Sequence, residues 1–300
     1  AEFIIYVNML AWPVASVGWI TSLVQRAAAS QERINDFLLI KTEIENNTAE
    51  HTPIKGNIEF NNVSFTYDDT KIEALKNLNF SIKEGETIGI FGKTGSGKST
   101  IANLVCRLYD STTGSIKFGD TKIENLNLNS IRTAIGYIPQ DGYLFSGTVR
   151  ENIAFSSDTT DEDKIIAAAK KADILDEITS FKDGFDTIIG ERGVQLSGGQ
   201  RQRLAIARTF YKNPNLFIFD DCLSAIDATK EQRILKELKK ESKNKSSIII
   251  SHRISTLKDA DQIIVLDKGK ITETGTHTEL LANKGFYYEM EQIQCNKQVK

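Results

Sequence analysis

The sequence predicts an α/β domain with a largely parallel sheet, preceded by one long apolar helix. Short β-branched runs alternate with helix-like segments from residue 57 onward, a pattern typical of parallel strands joined by helices. A glycine-rich loop stands between an apolar strand and an apolar helix. Residues 3–24 carry no charged side chain. These three observations set the expected order, in which a membrane-type helix comes first and the α/β domain follows.

Length and composition exclude several classes of protein. The chain has 300 residues, which is long enough for two ordinary domains or one large one. Its net charge of −3 argues against the excess of positive charge that is typical of nucleic-acid-binding proteins. We therefore expect no nucleic-acid partner. Cys106, Cys222 and Cys295 are too scattered for a disulfide framework or a zinc site. A reducing cytosolic environment fits this cysteine usage best.

The uncharged segment at residues 3–24 is the first expected element. As a helix it would be about 33 Å long, enough to cross a hydrocarbon core of about 30 Å. Arg26 and Arg33 follow it, which places its C-terminal end in the cytoplasm by the positive-inside tendency. Polar residues such as Asn8 weaken the run, so a buried helix of a soluble protein is the alternative. Because the chain starts without Met and inside the apolar run, we expect a fragment of a longer membrane protein.

The expected domains follow from this change in composition. Residues 1–50 should hold the end of the apolar helix, its cytoplasmic extension and a polar linker. Pro53 and Gly56 mark a boundary, and residues 51–300 should form one domain with a helix-rich part at about 141–212. Strand-like runs occupy residues 58–67, 78–82, 87–91, 115–118, 135–138, 216–220, 247–251, 262–267 and 270–274.

The glycine-rich loop reads GKTGSGKS and fits the P-loop pattern G-x-x-x-x-G-K-[ST]. It follows the strand-like TIGIF and precedes IANLVCRL, which is the context that the motif requires. Glycines let backbone N–H groups close around phosphates, while Lys98 supplies charge and the Ser99 hydroxyl reaches Mg²⁺. The predicted nucleotide contacts in this loop are Gly92, Lys93, Thr94, Gly95, Ser96, Gly97, Lys98, Ser99 and Thr100.

A metal-binding carboxylate is expected on a second strand. Residues 216–220 read LFIFD, four apolar residues followed by Asp. Such a position lies at the carboxyl edge of a parallel sheet, where ligands of open α/β folds bind. Asp220 is therefore predicted to hold the metal together with Ser99.

A second phosphate cradle is expected where residues 196–200 read LSGGQ and open a helical segment. Ser197 can cap that helix, and Gly198 and Gly199 allow a close backbone approach. The bare N–H groups of a helix start attract phosphate.

Together these segments make residues 57–294 resemble the nucleotide-binding domain of ATP-binding cassette (ABC) transporters, and LSGGQ matches that family's signature in full. The resemblance implies a cassette with a mostly parallel sheet core, an antiparallel β subdomain and a helical subdomain, using ATP and Mg²⁺. It also implies that two cassettes sandwich two ATP molecules. Each ATP would lie between the P-loop of one chain and the signature residues of the other, which are Ser197, Gly198, Gly199 and Gln200.

Single positions carry further roles that the resemblance implies. Tyr67 stands where the family stacks an aromatic ring on adenine. Gln140, in YIPQD, resembles the glutamine that touches Mg²⁺ and links to the membrane domain. Residues 224–227 resemble the D-loop. His252, after SSIII, resembles the switch histidine that contacts the γ-phosphate.

The subfamily is suggested by residues 144–153 and 187–193, which are similar to segments typical of ABC exporters. In exporters the second of these segments faces the coupling helices, and the membrane domain precedes the cassette. The resemblance thus implies a half-transporter in the cell membrane, with its cassette in the cytoplasm and a second half-transporter as partner.

One position departs from the family pattern. The family usually has Glu after the metal-binding Asp, where it polarises the attacking water, whereas this chain has Asp221. Asp reaches about 1.5 Å less far, and a misplacement of about 1 Å can cost on the order of 10²-fold in rate. We expect a site that binds ATP well and hydrolyses it slowly, as in heterodimeric exporters. One alternative is that Asp221 still serves as base after a small backbone shift. Another is a homodimeric ABC exporter with a slow ATPase.

Two rival functions belong to other classes. A soluble ABC ATPase acting on DNA or ribosomes would show a coiled-coil insertion or tandem cassettes, whereas this chain has one cassette and an apolar leader. A non-hydrolytic regulatory module is suggested by Asp221 alone. The intact Lys98, LSGGQ and His252 argue against it.

Overall fold

A computed structural model describes residues 2–157, 159–190, 195–241 and 245–298. Residues 191–193 of the exporter-like segment 187–193 lie outside the described residues. The chain divides into two compact units, Ala1–Glu45 and Asn46–Lys300.

The first unit consists mainly of one helix, α1 (Glu2–Leu38), which contains Pro13. It is long and apolar enough to cross a membrane, with a mean hydropathy of 1.6 over its most apolar window. None of its residues is buried within the chain, in contrast to the buried core helix that was the alternative. The hydroxyls of Ser16 and Thr21 donate to the carbonyls of Pro13 and Val17 at 2.8 Å, so these polar groups are satisfied inside the helix.

The second unit contains the α/β domain. Its strands are β1 (Ile58–Thr66), β2 (Glu73–Ile82), β3 (Thr87–Gly92), β4 (Thr113–Phe118), β5 (Thr121–Lys122), β6 (Ile135–Ile138), β7 (Gly147–Thr148), β8 (Ile188–Ile189), β9 (Leu216–Asp220), β10 (Ser246–Ile250), β11 (Gln262–Asp267) and β12 (Lys270–Gly275). Its helices are α2 (Lys98–Val105), α3 (Leu128–Ala134), α4 (Val149–Ile153), α5 (Glu162–Lys171), α6 (Leu175–Ser180), α7 (Gly198–Lys212), α8 (Ala228–Glu241), α9 (Ile254–Leu257), α10 (His277–Asn283) and α11 (Phe286–Gln298), with 3₁₀ turns at Ile123–Asn125 and Gly184–Asp186.

The central sheet has the strand order β12-β11-β3-β10-β9-β6. Its strands run parallel except for β12, which pairs antiparallel with β11 at one edge. The predicted mostly parallel sheet is therefore confirmed. A second sheet has the order β2-β1-β4-β5 and is antiparallel. Helices α4 to α7 form the helix-rich part between β6 and β9.

The parallel strands of the central sheet are buried on both faces because they are continuous apolar runs, whereas the edge strand β12 is more exposed. Successive side chains of a strand point to opposite faces, and two hydrophobic clusters result. Phe217 and Phe219 of β9 belong to the cluster shared with the helical part. Ile218, between them, belongs to the cluster shared with the antiparallel sheet. The carboxyl ends of the parallel strands are thereby held on a rigid support.

Candidate functional site

Four loops meet at the carboxyl edge of the central sheet. In the register of the strands, Ile90 pairs with Ile250, Ile250 with Asp220, and Ile138 with Phe219. The P-loop, the Asp220 region, the His252 loop and the Gln140 segment therefore leave the sheet side by side. The placement follows from the parallel sheet, because the carboxyl ends of neighbouring parallel strands lie at the same edge.

The backbone of the P-loop requires glycine at two positions. Gly97 caps α2 with a φ of 101°, and a Cβ there would lie 2.6 Å from the Ala74 carbonyl oxygen. A Cβ on Gly92 would lie 2.4 Å from the Leu266 carbonyl oxygen. Both positions therefore exclude a side chain, and the loop can stay close to the sheet.

Lys98 reaches back over the loop that precedes it. Its Nζ donates to the carbonyls of Gly92 and Lys93, both at 2.9 Å. Burial lowers the pKa of Lys98, while the carboxylates of Asp221 and Asp220 act in the opposite direction. The ammonium group is thus held within the loop, close to two acids.

Asp220 is almost fully buried at 3% exposure and has a partner on each oxygen. Ser99 Oγ donates to Oδ1 at 3.0 Å, and the Tyr137 hydroxyl donates to Oδ2 at 3.3 Å. Burial raises the pKa of Asp220, and the two hydrogen bonds oppose that rise. The Tyr137 contact was not predicted, because β6 and β9 become neighbours only in the folded sheet.

The residues present fit a nucleotide with Mg²⁺. Ser96 Oγ is buried inside the loop and has no hydrogen-bond partner among the described residues, and a Cβ on Gly95 would meet no atom within 4 Å. The described part of the chain contains no group of three or more His, Cys, Asp or Glu side chains that could hold a metal. Mg²⁺ commonly takes one or two protein ligands and completes its shell with water and phosphate, so Ser99 and Asp220 can suffice.

Asp221 and His252 form a pair beside this site. His252 Nδ1 lies 2.8 and 2.9 Å from the two carboxylate oxygens of Asp221. Asp221 adopts a left-handed backbone with a φ of 49°, which Asp tolerates better than most residues. The His252 side chain is 53% exposed, so its ring can meet a ligand from solvent.

Gln140 follows β6 and has an exposed side chain. Its carbonyl accepts a long bond of 3.4 Å from the Gln202 side chain, whose oxygen accepts from the Ala225 N–H at 3.2 Å. Gln202 is 7% exposed and so connects α7 with the segments of Gln140 and the D-loop. Sequence reasoning missed Gln202, because its partners are distant along the chain.

Tyr67 is half-buried and stands beside α2. Its hydroxyl lies 3.1 Å from Thr100 Oγ1, and its ring makes edge contacts with Phe65 and Tyr109 at centroid distances of 4.8 and 5.4 Å. The expected stacking of Tyr67 on adenine stays a prediction. Thr100 is buried at 5% exposure and serves as a partner of Tyr67.

The LSGGQ residues form a preorganised helix start. Ser197 Oγ accepts from the Gln200 N–H at 3.2 Å, and Gln200 Oε1 accepts from the Ser197 N–H at 2.9 Å. This reciprocal capping box leaves Ser197 exposed. Among the described residues, no hydrogen bond or ion pair joins the signature residues to the P-loop, whereas Lys98, Ser99, Asp220, Asp221 and His252 lie together.

An ion-pair cluster holds the signature helix. Arg203 of α7 donates to both oxygens of Glu177 at 2.8 and 2.9 Å. Lys230 of α8 donates to the same carboxylate at 2.7 Å. Glu177 therefore ties the signature helix to the helix that follows the D-loop.

Comparison with known proteins decides the family. The family described as "ABC transporter" matches residues 75–224, which is half of the chain. The chain belongs to the ABC transporter family. It carries the ATPase domain of that family, as the motifs predicted, and the predicted cassette fold is confirmed.

Individual ABC relatives are similar along almost the whole chain. The "Probable multidrug resistance ABC transporter ATP-binding/permease protein YheI" of Bacillus subtilis is 40% identical over 297 residues, which cover 97% of this chain and 51% of that protein. The "ATP-dependent lipid A-core flippase" of Mannheimia succiniciproducens is 40% identical over 296 residues, which cover 98% and 51%. The chain thus spans about half the length of the curated relatives it matches.

A solved ABC structure agrees in fold. The "Structure of a bacterial Atm1-family ABC exporter with ATP bound" superposes with a TM-score of 0.85 at 37% sequence identity. The match covers 96% of this chain and 51% of the other.

Proposed function

We propose that this chain is the ATP-binding and ATP-hydrolysing part of an ABC exporter. The observation that carries the proposal is the convergence of Lys98, Ser99 and Asp220 at one sheet edge, with Ser99 Oγ 3.0 Å from the Asp220 carboxylate. A loop of bare N–H groups, a lysine and a metal-binding pair are the parts that phosphoryl transfer needs for positioning and charge stabilisation.

ATP binds with its phosphates on residues 92–99 and its adenine near Tyr67. Ser99 and Asp220 would hold Mg²⁺, with Gln140 nearby, and the ion would supply charge that neutralises the phosphate oxygens. His252 reaches the γ-phosphate from the neighbouring loop, and its exposed ring supports that role.

The membrane part of the proposal rests on α1. This helix is the end of a membrane domain, and the cassette lies on its cytoplasmic side. The exposed apolar side chains of α1 support a lipid environment, since Phe3 and Trp12 are 79% and 78% exposed. Export is supported by the similarity of this chain to a solved ABC exporter.

Two cassettes work together in this proposal. The signature residues of one chain close over the P-loop of a second half-transporter. An exposed Ser197 at a helix start that is already capped supports this arrangement, because the capping bonds use the N–H groups of Ser197 and Gln200 and leave those of Gly198 and Gly199 to meet a phosphate. Closure of the sandwich drives the membrane domains, and hydrolysis resets them.

The chain is the partner with the slow site of a heterodimer. Asp221 has the shorter carboxylate, and both of its oxygens lie close to His252 Nδ1. A carboxylate held in this way is poorly placed to polarise a water molecule at the γ-phosphate. The fast site would then belong to the partner's P-loop, completed by Ser197 of this chain.

Nucleotide titration of a Lys98→Ala variant tests the ATP site. Loss of a charge-assisted phosphate contact of about 1.5–3 kcal/mol should raise the Kd for Mg-ATP at least tenfold. Lys83→Ala is the matched control, because Lys83 is exposed and precedes the other end of β3. Equal affinities of the Lys98→Ala variant and the parent would refute the proposed site.

A further inference from the structure

The C-terminal helix α11 contacts the loop that carries His252 through one side chain, Gln294. Gln294 Nε2 donates to the His252 carbonyl at 2.8 Å. Its Oε1 accepts from the Ile254 N–H at 3.0 Å. The side-chain amide of Gln294 therefore bonds to the backbone on both sides of Arg253, with its NH₂ group as donor and its oxygen as acceptor.

The Ile254 N–H needs such a partner. Ile254 begins α9, and the first N–H groups of a helix have no acceptor within the helix. Ile254 is fully buried, so an unpaired N–H there would be destabilising, because water cannot replace the missing partner. The contact made by Gln294 is therefore part of the local fold and not an incidental surface contact.

The helix that carries Gln294 is itself anchored behind the P-loop. The N–H groups of Phe286 and Tyr287 donate to the Glu273 carboxylate at 2.6 and 3.4 Å. Tyr287 is fully buried, and its ring meets Phe91, the residue before the P-loop, at 5.5 Å. Gln294 lies seven residues after Tyr287 and so occupies the same helix face two turns later.

The opposite side of the His252 loop is held by α8 and the D-loop. Arg253 donates to Glu231 of α8 at 3.0 Å and to the Ser224 carbonyl of the D-loop at 2.9 Å. The loop is thus fixed between the D-loop, α8 and α11. The His252 ring, which projects from this segment, reaches Asp221 at 2.8 Å.

We propose that Gln294 is a positioning residue for His252: by holding the His252 carbonyl and the Ile254 N–H, it aims the imidazole at the γ-phosphate. The inference rests on the role given to His252 under Proposed function. It makes α11 part of the ATPase site through its contact with the His252 loop.

Two replacements of Gln294 distinguish the positioning of His252 from a role of Gln294 only in packing α11 against the domain. Gln294→Met keeps the length of the side chain and loses both hydrogen bonds. Gln294→Glu keeps an acceptor for the Ile254 N–H and loses the donor to the His252 carbonyl. The control is Gln292→Ala, an exposed position on the same helix.

The experiment uses the 300-residue chain in lipid nanodiscs and measures Mg-ATP affinity, steady-state phosphate release and amide hydrogen exchange. Both Gln294 variants should lower kcat about tenfold while KM and Kd for Mg-ATP stay within twofold. The Ile254 amide should exchange faster in Gln294→Met and remain protected in Gln294→Glu. Gln292→Ala should match the parent in every measurement.

A His252→Ala variant keeps the two proposals distinguishable. Normal turnover of both Gln294 variants beside an inactive His252→Ala overturns the positioning inference alone. So does a Gln294→Glu variant that turns over like the parent while Gln294→Met is slow, because the bond to the His252 carbonyl would then be dispensable. Normal turnover of His252→Ala overturns the role of His252 and the inference with it.

Discussion

Replacing Glu177 by Gln should weaken the cassette at neutral pH and change its response to acid. Partial burial alone raises the pKa of Glu177, but hydrogen bonds from Arg203, Lys230 and Gln200 outweigh it and lower the pKa from its usual 4.5 to about 2. A difference of this size corresponds to at most about 3 kcal/mol of stability. Solvent screening reduces that figure, because the Glu177 side chain is 29% exposed.

The direction of the pH effect follows from the lowered pKa. Stabilisation by ionised Glu177 is fully present above about pH 4.5 and is lost as the pH falls towards 2. At pH 7 the free energy of unfolding of the Glu177→Gln variant should be about 1–3 kcal/mol lower than that of the parent, since the variant leaves the buried Arg203 without its carboxylate. The difference between parent and variant should shrink between pH 5 and 2.

Urea unfolding of the detergent-solubilised chain at a series of pH values measures this difference. Asp176→Asn is the matched control, because Asp176 is an exposed acid one residue earlier on the same helix. Equal destabilisation by both variants, or a Glu177→Gln difference that is the same at pH 3 and pH 7, would refute the reasoning.

Three further predictions concern the catalytic site and the membrane helix. Asp221→Glu should speed steady-state phosphate release by the isolated chain tenfold or more, about 1.4 kcal/mol off the barrier; an unchanged rate would show that carboxylate reach does not limit turnover. In the assembled transporter, Ser197→Arg should abolish most ATPase activity while Asp221→Asn costs much less, and equal losses in phosphate release would identify Asp221 as a working base. The full chain should partition into liposomes whereas a chain starting at Lys55 should not, and a flotation assay that finds both in the soluble fraction would contradict a membrane role for α1.

The core of the site could be predicted from sequence because its signals are local. The P-loop is a continuous stretch between one strand and one helix, and LFIFD carries its own carboxylate at the strand end. The start of the strand β2 was not predicted, since β2 begins at Glu73, five residues before the predicted run at 78–82. Its early residues, such as Lys76 and Asn77, are polar, and pairing with β1 settles their conformation.

The contacts that sequence reasoning missed join residues that are far apart along the chain. Tyr137 and Asp220 are 83 residues apart, and Gln294 and His252 are 42 apart. Glu177 meets Lys230 across 53 residues. No periodicity or motif links such pairs, because each depends on which strands and helices become neighbours in the fold.

The strand order of the central sheet also sets when the site can exist during synthesis. The strand that precedes the P-loop, β3, lies between β10 and β11, which follow it by more than 150 residues. At translation speeds of about 5–20 residues per second, the P-loop of a nascent chain waits on the order of ten seconds or more for its neighbours to leave the ribosome. During that interval the apolar faces of β3 and α2 lack their final cover, so we expect the emerging chain to bind chaperones. A premature stop codon between α7 and β11 would yield a product that contains the whole P-loop and signature but lacks at least β11 and β12 of the sheet that presents them.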